Sequence, residues 1–196
     1  MEQIRTFVAI ELSDDLCAAL RRMQATLKAN KEAQIGRWVA PESIHLTLQF
    51  LGNVGLNRLA EIQAAIERGC TGHTPFDIEL GGLGCFPNTR QPNVVWVGLA
   101  GDLESLQSLQ HDVEQQLAAL GFRPEDRPFK PHLTLARVRK DVSKAERAAL
   151  GALVERTPCT ESARMTVRQV SLMRSDLRPT GAVYTRLFAA ELREIR

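Results

Sequence analysis

The tetrapeptide His-Leu-Thr-Leu occurs twice in this chain, at His45-Leu46-Thr47-Leu48 and at His132-Leu133-Thr134-Leu135. The two copies use two of the chain's four histidines. On an extended strand, residues two apart point to the same face. Each copy therefore presents an imidazole beside a hydroxyl, while its leucines enter a core behind. Two such strands facing one another would deliver two imidazoles and two hydroxyls to one groove. In-line displacement at a phosphodiester calls for that set. A base must deprotonate the attacking oxygen, and an acid on the far side of phosphorus must protonate the departing one. Histidine, with an ordinary pKa of about 6.5, can do either job near neutrality. The hydroxyls can donate to the non-bridging oxygens, where charge accumulates. Two histidines with no third ligand at a suitable spacing make a poor zinc site, so no metal and no cofactor is expected. His73 and His111 lack the pattern and are expected at the surface.

The second copy lies in a basic stretch. Between Arg123 and Lys140 stand six basic residues (Arg123, Arg127, Lys130, Arg137, Arg139, Lys140) and two acidic ones (Glu125, Asp126). Beside a phosphate site such an excess can hold anionic groups. Arg137 is the candidate to join Thr47 and Thr134 in binding phosphate. It lies five residues after His132, on the opposite face of a regular strand, so a bulge is needed to bring it in. Among the few aromatic residues, Trp38 and Phe7 are the candidates for stacking on a base.

Several elements must position these groups. Arg5–Leu12 reads as a buried strand, and Ser13 caps a helix running to about Asn30. Ile44–Leu51 is the strand of the first motif, ended at Gly52-Asn53. A helix is expected over Leu56–Arg68, and an alternating strand over Phe76–Leu80. A loop rich in Gly, Pro and Asn is expected from Gly81 to Asn93, followed by a strand over Val94–Leu99. Leu103–Leu120 predicts a helix closed by a left-handed Gly121. His132–Val138 is the strand of the second motif. Ser143 caps a helix to about Glu155. Met165–Met173 and Ala182–Glu191 read as two last strands, joined by a loop holding Pro179-Thr180-Gly181. Strands and helices mix without steady alternation, which predicts an α+β fold with antiparallel-rich sheets and helices outside.

Composition sets the outer bounds. The chain has 196 residues, 44% hydrophobic and 24% charged, with 25 Lys+Arg against 23 Asp+Glu. That excludes whole-chain disorder and a coat basic enough to grip long duplexes by charge alone. No apolar run reaches the roughly 20 residues of a membrane span, and the start does not read as a signal peptide. A single domain over 1–196, monomeric and cytoplasmic, is expected. Cys17, Cys70, Cys85 and Cys159 stand singly, without a C-x-x-C pair, and are expected as free, buried thiols.

The two motifs with their flanks resemble the 2H phosphoesterase superfamily, named for paired H-x-T-x motifs. Within it the chain is similar to the bacterial and archaeal RNA 2′,3′-cyclic phosphodiesterases, also called 2′-5′ RNA ligases. The resemblance covers nearly the whole chain. It includes Arg5-Thr6-Phe7-Val8-Ala9-Ile10, the segment Ser43 to Gly52, the segment Arg127 to Arg137, and Leu177 to Tyr184. It implies a bilobal fold with pseudo-two-fold symmetry around a central cleft. It also implies metal-independent opening of RNA or nucleoside 2′,3′-cyclic phosphates to 2′-phosphates, with reversible 2′-5′ joining of RNA ends. By that resemblance His45 is the proton donor to the departing 3′ oxygen, His132 activates water, and Thr47 and Thr134 hold phosphoryl oxygens. A nucleotide- or RNA-binding module of the same fold with little turnover is the alternative.

Overall fold

The computed structural model describes residues 2–125, 127–178 and 181–193. Strand β1 (Gln3–Glu11) passes into helix α1 (Asp14–Lys28) at Ser13, whose hydroxyl accepts the Leu16 amide. Leu16, Ala19, Leu20, Met23 and Leu27 bury one stripe of α1, as their spacing requires. Then follow β2 (Gly36–Trp38), β3 (His45–Gly55), α2 (Leu59–Cys70), β4 (Phe76–Phe86), β5 (Val94–Gly101) and α3 (Leu103–Ala118). The second motif opens β6 (His132–Val138), followed by α4 (Lys144–Arg156), β7 (Arg164–Val167), β8 (Gln169–Arg178) and β9 (Gly181–Glu191). Gly121 sits past α3 with φ +86°, the left-handed stop its position implied. Ser143 and Glu146 cap α4 reciprocally.

The strands form two antiparallel sheets, ordered β3-β1-β8-β9 and β2-β6-β5-β4-β7. The fold is α+β, as expected. Both sheets and the helices share one continuous apolar core, which includes Leu46 and Leu48 of the first motif and Leu133 and Leu135 of the second. Burying a leucine contributes roughly 1.5–3 kcal/mol, so each motif is anchored from behind. On the other face of the first sheet, Phe7, Ala9 and Met173 form a small cluster with Tyr184 against it.

The structure corrects several expectations. Met165–Met173 is not one strand. The chain changes sheets at Arg168, because Val167 pairs with Phe76 in the second sheet and Gln169 with Glu191 in the first. Both halves are apolar enough to look continuous. The loop expected from Gly81 is strand as far as Phe86. Its glycines allow a bulge between Leu80 and Leu83 and a close backbone approach, since a Cβ on Gly81 would lie 3.1 Å from the Gly98 carbonyl carbon. Strand β3 continues past Gly52, whose φ of +72° absorbs an irregularity, and ends at Gly55. Of the last loop, Pro179 and Thr180 lie outside the described residues, as does Asp126 of the basic stretch.

All four cysteines are free, but only Cys70 and Cys85 are fully buried. His111 is exposed as expected. His73 is half-buried, with Nε2 2.8 Å from the Asp112 carboxylate. Among the described residues, no helix is long and apolar enough to cross a membrane.

Candidate active site

The two motif strands belong to different sheets and lie against one another. Their local structures match. From His45 to Phe50 the burial runs half-buried, buried, half-buried, buried, buried, exposed, and the same series runs from His132 to Arg137. Each strand also carries a bulge three residues after its histidine. Against β1, Gln49 pairs with Val8 and Thr47 with Ala9, so Leu48 is the extra residue. Against β5, Ala136 pairs with Val95 and Thr134 with Trp96, so Leu135 is the extra residue. Within each motif the His and Thr share the half-buried face, while the leucines are buried behind them.

The second bulge answers the problem posed by Arg137. One extra residue reverses the alternation, so Leu135 and Ala136 are both buried and Arg137 returns to the face of His132 and Thr134. Its positive charge helps hold the His45 pKa down, which puts the guanidinium within electrostatic reach of the other sheet's histidine. The bulge is pinned from behind. Gln24, a buried residue of α1, donates through Nε2 to the Leu135 carbonyl (3.1 Å) and the Val39 carbonyl (2.8 Å), while the Val39 amide also donates to Leu135 (2.9 Å). Gln24 thereby ties the approach to the first motif to the centre of the second. A second tie runs from Gln49 Nε2 on β3 to the carbonyl of Arg123 in the basic loop (3.3 Å).

Both imidazoles are held in the same way. Nδ1 of His45 is 3.0 Å from the Ser43 carbonyl, and Nδ1 of His132 is 2.7 Å from the Lys130 carbonyl. A carbonyl can only accept, so each Nδ1 carries the proton. Each Nε2 is then the nitrogen left to exchange a proton: a lone pair when the ring is neutral, an N–H when it is charged. Aromatic rings support each imidazole. Phe7 stacks on His45 (centroids 4.6 Å apart) and Tyr184 meets it edge-on (4.8 Å). His132 meets Phe86 edge-on (4.9 Å), with Trp96 at 6.4 Å. Burial pushes the His45 pKa below its ordinary value and the Arg137 charge adds to this. The Ser43 carbonyl and the Glu11 carboxylate oppose the shift.

The proposed stacking residues fare differently from the motif. Phe7 is 2% exposed and spends its ring on His45, so it offers no open face to a base. Trp38 is half-buried, donates Nε1 to the Ala33 carbonyl (3.1 Å), and has the Lys28 amino group over its ring. Tyr184, Phe86 and Trp96, which the sequence offered as plausible base-stacking aromatics, instead pack around the two histidines. Gly84 belongs with them, because a Cβ there would lie 2.3 Å from the Trp96 ring. Among the described residues, no group of three His, Cys, Asp or Glu gathers as a metal site.

Comparison with known proteins sets this geometry in context. The family model of the 2′-5′ RNA ligase superfamily matches residues 7–179. An RNA 2′,3′-cyclic phosphodiesterase of Methanothermobacter thermautotrophicus is 38% identical over 183 residues, 93% of this chain and 96% of the relative. One from Archaeoglobus fulgidus is 34% identical, covering 92% and 96%. A crystal structure of a Thermus thermophilus protein superposes with a TM-score of 0.77 at 31% identity, covering 98% of this chain and 100% of the other. E. coli LigT complexed with 3′-AMP gives 0.78 at 26% identity, covering 97% and 99%.

Proposed function

The chain belongs to the 2′-5′ RNA ligase superfamily, and from that membership we propose that it is an RNA 2′,3′-cyclic phosphodiesterase that opens cyclic phosphate ends to 2′-phosphates through His45 and His132. His132 Nε2 takes a proton from water, and the water oxygen attacks phosphorus. The bond from phosphorus to the 3′ oxygen breaks, and the Nε2 proton of His45 passes to that oxygen. Thr47, Thr134 and Arg137 hold the non-bridging oxygens as negative charge builds. With an RNA 5′ hydroxyl in place of water, the same two groups form a 2′-5′ linkage, and microscopic reversibility lets them cleave it again.

One observation carries this reading. Two distant histidines share one tautomer-fixing contact, Nδ1 to the carbonyl two residues before, on strands with the same burial series and the same bulge. A core histidine needs no such duplicate. Paired acid and base need two rings fixed alike with Nε2 kept for the substrate. Residues 1–196 are read as one bilobal domain, supported by the apolar core that both sheets share. The protein is read as a cytoplasmic monomer, which sedimentation and cell fractionation measure.

The test is incubation of the purified protein, in excess chelator, with an oligoribonucleotide bearing a 2′,3′-cyclic phosphate, followed by separation of 2′- from 3′-phosphate products. The expected product is the 2′-phosphate, and His45→Ala or His132→Ala each lowers kcat by about 10²–10⁴-fold. Binding without turnover, a 3′-phosphate product, or near-normal turnover in either variant overturns the assignment.

A further inference from the structure

His45 stands in surroundings that disfavour a positive charge. Its ring lies on Phe7, meets the edge of Tyr184 from β9, and faces the positive Arg137 from β6. An acid that must hold a second proton before each turnover needs a compensating negative charge. Among the described residues, the Glu11 carboxylate is the negative charge that acts on this ring. Glu11 closes strand β1 and is the direct register partner of His45. Side chains directly opposite in an antiparallel pair share a face, with Cβ atoms about 5 Å apart.

The carboxylate is fixed by two other strands. Ser171 of β8, fully buried, donates its hydroxyl to Glu11 Oε2 at 2.6 Å, and Arg186 of β9 approaches the same oxygen at 3.2 Å. The remaining groups on this side are Met173 of β8, which does not titrate, and the Tyr184 phenol. In the other sheet, β6 carries His132 as well as Arg137. The Glu11 carboxylate is held by Ser171 and Arg186, and His45 Nδ1 is already taken by the Ser43 carbonyl. It acts on His45 through its charge.

We propose that Glu11 is a positioning residue of this site, the fixed counter-charge that lets His45 hold its imidazolium form between turnovers. The proposal rests on the function assigned above, in which His45 is the acid. Its physical content can be measured without turnover. The structural alternative is that Glu11 only satisfies Ser171 and Arg186. Glu11→Gln separates the two, because the amide oxygen still accepts from Ser171 while the charge is gone. Glu11→Asp keeps the charge on a shorter stem.

The experiment uses the full chain and titrates the His45 ring by NMR in the free protein, with the His45→Ala spectrum assigning the signal. A single charge across a strand pair is worth about half a pH unit to one unit. Removing it in Glu11→Gln moves the His45 titration down by that amount, with Glu11→Asp close to wild type and the His132 signal unmoved. In kinetics, loss of the His45 proton sets the alkaline limb of kcat/KM. That limb moves down equally, and activity one unit above it falls about 3- to 10-fold. An unmoved His45 titration in Glu11→Gln, or an equal shift in Glu11→Asp, overturns the proposal. A shifted titration in a protein that turns over no cyclic phosphate leaves Glu11's role standing and removes the function instead. A shift confined to the acid limb makes His45 the base, neutral before each turnover, and overturns the proposal.

Discussion

Replacing Gln24 by methionine, a side chain of similar volume, tests whether the bulge in β6 is held in place from behind. The Gln24 amide donates to both the Val39 and the Leu135 carbonyls, and its oxygen accepts from Lys28 Nζ at 3.4 Å. In the variant the Leu135 carbonyl keeps the Val39 amide, but the Val39 carbonyl loses the Gln24 donor. Leaving the part-buried Val39 acceptor unmatched and weakening the buried Leu135 one together cost about 1–3 kcal/mol, against a small gain from an apolar side chain. A net loss of about 2 kcal/mol corresponds to a Tm lower by roughly 4–8 °C for a chain of this size. The functional effect follows from the position of the contact. The Leu135 bulge turns Arg137 to the His132 face, and Val39 leads into the first motif. Misplacement by about 1 Å costs up to about 100-fold in rate. Thermal unfolding by circular dichroism, paired with kcat well below the transition, gives both numbers. A Tm within 1 °C of wild type refutes the energetic reasoning (about 0.3 kcal/mol by the same conversion). A lowered Tm with unchanged kcat refutes the claim that Gln24 sets the spacing of the site.

Arg137→Gln removes the charge that helps hold the His45 proton affinity down, so the His45 titration and the alkaline limb of the pH profile move up, opposite in sign to Glu11→Gln. KM for the cyclic phosphate rises with the loss of an anion contact, and steady-state kinetics across pH measure both. Gly84→Ala sets a Cβ 2.3 Å from the Trp96 ring, which must move from its place beside His132; a loss of about 1–3 kcal/mol by urea unfolding and a reduced kcat are expected. Burial pushes the Cys70 thiol up to about 12 and the Cys85 thiol up to about 11, so a thiolate-directed alkylating reagent at neutral pH modifies Cys17 and Cys159 first, as peptide mass mapping over time would record.

The placement of the motif residues was the most legible part of the sequence. Strand period alone put His45 with Thr47, and His132 with Thr134, on shared faces backed by buried leucines, and the structure has them so. Arg137 was legible only conditionally. Its parity was wrong for a regular strand, and nothing in Leu133-Thr134-Leu135-Ala136 announces a bulge, because the extra residue is fixed by the partner strand and by Gln24 from another element. Phe7 was misjudged for a related reason. Its apolar strand placed it in the sheet, but only the pairing of β1 with β3 puts its ring under His45. Contacts made by backbone carbonyls, such as those of Ser43 and Lys130, leave no mark in residue type. The change of sheet at Arg168 escaped because both flanking stretches are apolar, and hydrophobicity reports burial without saying in which sheet. Glu11 lay in plain view beside Leu12, but its register partner is 34 positions away.

The central claim is that two imidazoles act on one phosphorus from opposite flanks, with no covalent intermediate. The stereochemistry at phosphorus tests it directly. A 2′,3′-cyclic phosphorothioate of known configuration is opened by the protein in oxygen-18 water, and the configuration of the chiral 2′-phosphorothioate product is determined. A single in-line displacement gives inversion, which is the expected result. Retention requires two displacements through an enzyme-bound phosphoryl group and contradicts the account.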